Sequence, residues 1–254
     1  MTPLSEAYNV EMKAKANILR VFTAFSGYDS QCMALDRLGI RYDLVGWSEI
    51  DRYVIRAHDA LYPQWADRNA GDISKIDWNC IPDFDLFTYS FPCQDISNAG
   101  LQRGLREGSD TRSSLLWECR KAIEAKMPKY LLMENVKSLV SKKFIGDFRR
   151  WEQYLAGLGY DNYCKVLNAK DYGVPQNRER IFLVSILGEH APFSFPNAFP
   201  LGRRLKDILE DNVAESYYLK DEQVQKILAH CERMKSDGYG FNVNYRMKEG
   251  FADC

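Results

Sequence analysis

The tetrad Phe91-Pro92-Cys93-Gln94 places a cysteine thiol at the point where a strand is predicted to end and a loop to begin. An apolar run from 84 to 90 precedes the tetrad, and a polar stretch from 94 to 112 with three glycines follows it. A reactive side chain between a rigid proline and a glycine-punctuated loop can meet a ligand and then be covered. The pattern indicates a nucleophile, although a buried structural cysteine is the commoner role for any one cysteine.

A carboxylate and two guanidinium groups follow later strands. Glu134 comes after the apolar run from 130 to 133, and Arg178 and Arg180 stand before the last predicted strand. A free cysteine has a pKa near 8.5, so that only a minority of the thiol is ionised at neutral pH and a nearby cation assists it. Each charge alone could be an ordinary surface group. Together with Cys93, the three charges indicate a catalytic site.

A second set of residues predicts a binding pocket. The turn Phe25-Ser26-Gly27 ends the first strand and leads into a helix, whose free N–H groups suit a carboxylate or phosphate. Glu49 follows the second strand, where an acidic residue can hold a ribose diol. The segment Gly71-Asp72-Ile73 could accept a hydrogen bond from an amino group and cover a ring. These residues predict a pocket for an adenosine-bearing molecule with an anionic end.

The alternation of strands and helices predicts a doubly wound, mostly parallel α/β sheet that is covered on both faces. Ligands of such sheets bind beyond the carboxyl ends of the strands, where the residues above fall. The predicted strands are 18–25, 44–47, 85–89, 130–133, 163–167 and 181–187, and the predicted helices are 32–38, 53–61, 115–125 and 144–158.

Three regions are predicted along the chain. Residues 1–17 are polar and form a flexible tail, and residues 18–187 form the catalytic domain. Residues 188–254 form an extension, which starts with a proline-rich extended segment and continues with short helices at 204–209 and 222–234.

Composition narrows the classes of protein. The 254 residues are 46% hydrophobic and 27% charged, which is typical of a globular chain with one sizeable core. The seven cysteines form no CxxC pair and no cluster with histidine, so we expect no metal site and reduced thiols. No apolar run reaches the length of a membrane span and no signal-peptide core is present, which predicts a cytoplasmic protein without a membrane partner. The net charge of −1 gives no global sign of a nucleic-acid partner.

Six stretches occur in an order and spacing that resemble the DNA cytosine-5 methyltransferases. They are AFSGYDSQ, SEID, GDI, SFPCQDIS with GLREGSDTRSSLLWE, YLLMENVKSLV and DYGVPQNRERIFLVSI. The resemblance implies the S-adenosylmethionine-dependent methyltransferase variant of the doubly wound sheet, S-adenosylmethionine as cofactor and double-stranded DNA as substrate.

The resemblance also implies roles for individual residues. Cys93 would add to C6 of cytosine, Glu134 would hold the N3 and amino edge of the base, and Arg178 and Arg180 would supply charge. The stretch from 94 to 112 resembles the mobile loop that closes over a flipped-out base. The implied cofactor-binding residues are Phe25, Ser26, Gly27, Glu49, Ile50, Asp72, Ile73 and Pro92. The implied DNA-binding residues are Gln94, Arg103, Arg106 and Arg112.

The chain departs from the family pattern in two places. Asp29 stands where the first motif usually carries a second glycine, and its carboxylate would repel that of the cofactor's methionine part unless it is turned away. The family's target-recognition domain and its last motifs do not occur before Cys254. The hypotheses are therefore the larger subunit of a split DNA methyltransferase, a truncated form with little activity, or a non-catalytic module that binds cofactor or DNA. A transfer-RNA cytosine-5 methyltransferase is a further alternative, and restriction–modification and phage roles are both open.

Overall fold

The computed structural model describes residues 18–97, 103–109, 111–236, 246–247 and 250–251. The predicted tail at 1–17, Gly100 and most of the chain after Ser236 lie outside these ranges. The chain divides into two compact units, Met1–Arg203 and Arg204–Cys254. All the residues that the sequence proposes for the site belong to the first unit.

The first unit contains a six-stranded sheet in the order β2-β1-β3-β4-β6-β5. The strands are β1 (Leu19–Ala24), β2 (Tyr42–Ser48), β3 (Leu86–Tyr89), β4 (Tyr130–Val136), β5 (Tyr160–Asn168) and β6 (Glu179–Leu187). Strands β1 to β4 pair in parallel, whereas β6 runs antiparallel to both β4 and β5. The β5–β6 connection holds only a short turn, Ala169–Tyr172. Because a parallel crossover needs a dozen or more residues, β5 and β6 form a hairpin. The predicted doubly wound α/β fold is confirmed, with this strand reversed.

Helices connect the parallel strands. They are α1 (Ser30–Arg37), α2 (Arg52–Leu61), α3 (Cys119–Lys126) and α4 (Ile145–Gly157), and the second unit contributes α5 (Asp221–Ser236) and the two-residue strands β7 (Arg246–Met247) and β8 (Gly250–Phe251). Short 3₁₀ helices occupy Pro63–Arg68, Ile73–Lys75, Arg112–Glu118, Lys137–Val140, Leu205–Ile208 and Glu215–Tyr217. None of the helices in the described part of the chain has the length and apolar character needed to cross a bilayer.

The core lies on both faces of the sheet. Successive residues of a strand point to opposite faces, so Val21 and Phe22 of β1 enter two different apolar clusters. Val21 packs in the cluster that contains residues of α1, and Phe22 packs in the cluster that contains residues of α3 and α4. Both side chains are fully buried. The two clusters therefore pack the sheet between layers of helices.

A bulge in β2 aligns the ends of β1 and β2. Val21 pairs with Leu44 but Phe22 pairs with Gly46, so β2 carries one extra residue at this point. A Cβ at Gly46 would lie 2.8 Å from the Phe22 ring, so only glycine allows this approach. Beyond the bulge, Ala24 pairs with Ser48, which brings the turn after β1 beside Glu49.

Candidate active site

The proposed catalytic side chains meet at one edge of the sheet. Strands β3 and β4 are parallel, so Cys93 after β3 and Glu134 near the end of β4 lie at the same edge. Strand β6 is antiparallel to β4, and its first residues, including Arg180, therefore begin at that edge. The chain passes from β2 on one side of β1 to β3 on the other. Such a reversal of strand order is where open α/β sheets bind ligands.

Glu134 and Arg180 form an ion pair across β4 and β6. Glu134 pairs with Phe182 and Val136 pairs with Arg180, so Glu134 and Arg180 are diagonal neighbours on one face of the sheet. The distance from Arg180 Nε to Glu134 Oε1 is 3.0 Å, and about a quarter of each side chain is exposed. Arg180 Nη1 also donates to the Glu179 carbonyl over 2.8 Å. The guanidinium thus fixes one carboxylate oxygen of Glu134.

Residues just after Glu134 hold the turn that carries Cys93. Asn135 Nδ2 donates to the Phe91 carbonyl over 2.9 Å, and Ser138 Oγ donates to the Ile96 carbonyl over 2.6 Å. The N–H groups of Ile96 and Ser97 donate to the Cys93 carbonyl. Cys93 is half-buried and packs against the core cluster. Hydrogen bonds from residues 135 and 138 therefore fix the backbone before and after Cys93 to the segment that follows Glu134.

Arg178 reaches the same edge but stands apart from the ion pair. Its backbone N–H donates to Asn168 Oδ1 over 3.0 Å, and its side chain is exposed. On the neighbouring residue, Glu179 pairs with Lys137 over 2.8 Å. The structure thus places Arg180 against Glu134, and it leaves Arg178 directed to solvent, where a substrate phosphate or base could meet it.

Asp95 is a functional candidate that the sequence reasoning missed. Its side chain is 1% exposed, and it accepts hydrogen bonds from Arg103 Nε at 2.8 Å and from the Arg112 N–H at 2.9 Å. The Arg103 guanidinium holds the pKa of the Asp95 carboxyl below its usual value. The available signal was an acidic residue in SFPCQDIS followed by the three arginines of RGLREGSDTR.

The hydroxyl group of Ser113 binds the backbone both before and after Cys93. This buried hydroxyl accepts from the Asp95 N–H over 3.2 Å and donates to the Pro92 carbonyl over 2.7 Å. Because Pro92 and Asp95 flank the sequence Cys93-Gln94, one serine fixes the backbone before and after the thiol. Arg112 Nη1 donates to Gln94 Oε1 over 3.0 Å.

Three of the four implied DNA-binding residues make contacts within the protein. Arg103 is paired with Asp95, and Arg112 and Gln94 are bonded to each other, whereas Arg106 is exposed. Contact with DNA phosphates would require Arg103 and Arg112 to exchange these partners. Their role in DNA binding stays a prediction.

Glu49 lies at the centre of the candidate cofactor pocket. Its Oε2 accepts from the Gly27 N–H over 3.2 Å, and its Oε1 accepts from the N–H groups of Ile50 and Asp51 over 2.8 Å and 3.0 Å. These three bonds orient the carboxylate. Each oxygen keeps further acceptor capacity, which is what two ribose hydroxyl groups require.

Asn69, which no sequence pattern had singled out, aligns the third segment of the candidate pocket. Its Oδ1 accepts from the N–H groups of Glu49 and Gly71, at 3.2 Å and 2.9 Å, and its Nδ2 donates to the Glu49 carbonyl. Ser48 Oγ also donates to the Gly71 carbonyl. The segment 71–73 is thereby held beside the residue predicted to bind ribose.

The remaining implied cofactor residues differ in what they expose. Ile50 is 72% exposed, so its side chain is free to cover a ring. Asp72 caps the turn Ile73–Lys75, where the hydrogen bond from Ser74 Oγ lowers the pKa of its carboxyl. Ile73 is buried in the core, which leaves its backbone, rather than its side chain, for a ligand. Within the described ranges, no three acidic, cysteine or histidine side chains converge as a metal site.

The turn after β1 contains an unpaired buried hydroxyl. Ser26 is 5% exposed and its N–H donates to the Ser48 carbonyl, while its Oγ has no partner among the described residues. Phe25 and Gly27 have φ angles of 54° and 60°, which turn the backbone sharply around the serine. Because buried polar groups are nearly always bonded, this hydroxyl fits a polar ligand end such as the amino acid part of S-adenosylmethionine.

Asp29 does not face this pocket. The carboxylate is fully buried and accepts from Thr23 Oγ1 over 3.0 Å, and His58 Nε2 lies 3.1 Å from the same oxygen. Burial raises the pKa of the Asp29 carboxyl. The side chain points into the protein, so the Asp29 carboxylate is turned away from the position expected for the carboxylate of the cofactor's methionine part.

The site combines a candidate cofactor pocket after β1 and β2 with a thiol after β3, a carboxylate near the end of β4 and a guanidinium near the start of β6. This combination is typical of a cofactor-dependent transferase. The sequence model of the C-5 cytosine-specific DNA methylases matches residues 19–253. The type II methyltransferase M2.ScrFI of Lactococcus lactis subsp. cremoris is 43% identical over 82% of this chain and 72% of that protein. The orphan methyltransferase M.Rho11sI of Bacillus phage rho11s is 32% identical over 90% of this chain and 52% of that protein. The chain belongs to the C-5 cytosine-specific DNA methylase family.

A solved structure supports the fold independently. The crystal structure of the S. pombe Dnmt2 methyltransferase matches with a TM-score of 0.67 and 22% identity, over 84% of this chain and 67% of that one. The family's methyl donor is S-adenosylmethionine, and the unpaired Ser26 hydroxyl and the oriented Glu49 carboxylate fit its amino acid part and its ribose.

Proposed function

We propose that the protein transfers a methyl group from S-adenosylmethionine to C5 of cytosine in DNA through a covalent adduct with Cys93. The observation that carries the proposal is the assembly of Cys93 with the Glu134–Arg180 ion pair at the edge of the sheet that also holds the candidate cofactor pocket. A module that only binds cofactor or DNA would have no use for a cysteine whose backbone is fixed on both sides by hydrogen bonds.

The residue types suit this chemistry. C5 of cytosine is a poor nucleophile, so addition of the Cys93 thiolate to C6 pushes electron density onto C5. Glu134 binds the N3 and amino edge, where charge builds up as the thiolate adds, and Arg180 keeps that carboxylate in place. When it is bound, S-adenosylmethionine supplies the electrophilic methyl group that C5 takes. Loss of the C5 proton and expulsion of Cys93 Sγ then restore the aromatic ring.

Access to the base requires that it leave the duplex. Flipping costs a few kcal/mol, and we propose that Gln94, Arg103, Arg106 and Arg112 contact DNA around the flipped nucleotide. The chain spans 52% of the phage relative's length. We propose that target recognition is supplied by a part of the protein, or by a second subunit, other than the residues described here.

The direct experiment supplies S-adenosylmethionine with an isotope-labelled methyl group to the purified protein, together with duplex DNA or transfer RNA. Nucleoside mass spectrometry should find labelled 5-methyldeoxycytidine from the DNA. Label found only in the RNA would show that RNA, and not DNA, is the substrate. Cofactor binding without any transfer would favour the non-catalytic reading, or a requirement for a second subunit.

Glu49→Gln should weaken S-adenosylmethionine binding by about tenfold, because the amide keeps the size of the side chain but loses an ionised acceptor for the ribose diol. Isothermal calorimetry measures the dissociation constant. The matched control is Glu118→Gln, in which the carboxylate paired with Lys121 lies on another segment. Unchanged affinity in the Glu49 variant would show that the ribose is held elsewhere.

Ser113→Ala should slow methyl transfer by about ten- to hundredfold at saturating cofactor, because the backbone on both sides of Cys93 loses its common hydrogen-bond partner. Single-turnover rates measure this effect, and the dissociation constant of S-adenosylmethionine should stay unchanged. Ser185→Ala is the control, since this serine of β6 is equally buried and its hydroxyl donates to Asn162 of β5. Equal rates in the two variants would remove the positioning role of Ser113.

A further inference from the structure

Asp29 adopts a backbone conformation that favours glycine. Its φ and ψ are 61° and 56°, in the left-handed region where most side chains are strained and aspartate is tolerated better than most residues. It also precedes helix α1, yet its side chain makes no capping hydrogen bond to that helix. A carboxylate at position 29 is therefore explained neither by the backbone conformation nor by capping of α1. The explanation lies in the contacts that the side chain makes inside the protein.

Those contacts form a buried pair with His58. Both side chains are 0% exposed, and the His58 ring stacks on Trp47 with centroids 3.7 Å apart and planes at 22°. Thr23, which donates to Asp29, pairs with Trp47 in the sheet, one residue before the ends of β1 and β2. The pair thus lies directly beneath the two strand ends that form the candidate cofactor pocket.

The pair links two segments of that pocket. Asp29 closes the turn that contains Ser26 and Gly27, and His58 lies on α2, whose capping residue Asp51 comes two positions after Glu49. The hydrogen bond from the Gly27 N–H to Glu49 is a second link between the same segments. Removing one member of a buried hydrogen-bonded pair leaves a buried polar atom of the other without that partner, so the two residues depend on each other.

We propose that Asp29 and His58 are positioning residues for the cofactor, which fix the turn 25–29 against α2 so that Ser26 and Gly27 are held ready for the amino acid part of S-adenosylmethionine. The inference rests on the proposed function and deepens it. It predicts that the family's glycine, placed at this position, is harmful in this chain. If Asp29 were only tolerated, glycine would relieve its backbone strain and leave cofactor affinity intact.

The test measures the dissociation constant of S-adenosylmethionine by calorimetry for the wild-type protein, Asp29→Gly, His58→Phe and the double variant. Phenylalanine keeps a ring on Trp47 but removes the nitrogen that faces Asp29. Each single variant should bind about tenfold more weakly, and the double variant should be no weaker than the singles, because one shared interaction is lost.

A second ligand separates positioning from general destabilisation. 5′-Methylthioadenosine has the adenosine and sulfur of the cofactor but lacks its amino acid end, so Asp29→Gly should change its affinity much less. Met127→Gly is the matched control, since Met127 also has a left-handed backbone (φ 43°) after α3 and its side chain is 36% exposed. This control should leave both affinities unchanged. Asp29→Asn, which keeps hydrogen-bonding capacity, should restore most of the affinity for S-adenosylmethionine.

The outcomes are distinct. Wild-type affinity in Asp29→Gly, additive losses in the double variant, or equal losses for both ligands would each overturn the inference. If Asp29→Gly does not fold, the other two variants still test the inference. Asp29→Asn should then retain the affinity for S-adenosylmethionine, and His58→Phe should lose it. A wild-type protein that binds no S-adenosylmethionine would instead overturn the proposed function.

Discussion

Replacing Cys93 by alanine is expected to abolish methyl transfer, with a loss on the order of 10⁴-fold or more, as for other enzymes that lose a covalent nucleophile. No neighbouring group can replace the thiolate, because Glu134 is engaged by Arg180 and would donate or accept a proton rather than add to carbon. Binding of S-adenosylmethionine should be unchanged, since the candidate pocket is formed by the turns after β1 and β2. Labelled methyl transfer to DNA and calorimetry measure the two effects.

The control for this variant is Cys80→Ala, which removes an exposed thiol that is hydrogen-bonded to Asp77. Full activity in the control and none in Cys93→Ala would assign the loss to one sulfur atom. Methyl transfer by Cys93→Ala at the wild-type rate would contradict the covalent mechanism, whether or not the affinity for S-adenosylmethionine changes.

The second large effect is expected for Glu134→Gln, with transfer slowed by about 10²- to 10⁴-fold. Glutamine has nearly the same shape, but it cannot share a proton with N3 of the base, and it leaves Arg180 without its ionised partner. Single-turnover rates at saturating cofactor and DNA report the loss in the chemical step. The affinity for S-adenosylmethionine should again be unchanged.

Glu179→Gln is a matched control for this prediction. Glu179 is the first residue of β6, and its carboxylate pairs with Lys137 instead of Arg180. It should retain nearly full activity, because the Glu134–Arg180 pair survives. Similar losses in both variants would show that transfer depends on negative charge at this edge in general. It would then not depend on a specific contact of Glu134 with the base.

The sequence predicted that Cys93 and Glu134 lie at the same edge because their placement follows from the sheet. Cys93 comes after β3 and Glu134 lies near the end of β4, and a parallel sheet brings strand ends to one edge. The ion pair between Glu134 and Arg180 was not predictable, since it depends on the reversal of β6 and on its register with β4. The sequence treated Arg178 and Arg180 alike, and only the structure distinguishes them.

Long-range pairing explains what the sequence could not provide. The sequence singled out Asp29 as a departure from the family pattern, but its partner His58 lies 29 residues away on α2. In the same way, Asp95 and Ser113 are 18 residues apart and meet because the loop folds back on itself. Ile73 has an apolar side chain that suits either a ring or the core, and burial places it in the core. No residue pattern of period 2 or 3.6 encodes such contacts.

The most direct test of the account uses duplex DNA in which cytosine is replaced by 5-fluorocytosine. Fluorine at C5 cannot leave as a proton does, so a thiolate that has added to C6 stays attached to the base after methyl transfer. We expect a covalent protein–DNA complex that requires S-adenosylmethionine, and peptide mass spectrometry should place the linkage on Cys93. Transfer of methyl groups to ordinary DNA without any trapped complex, or a linkage on another residue, would contradict the central claim.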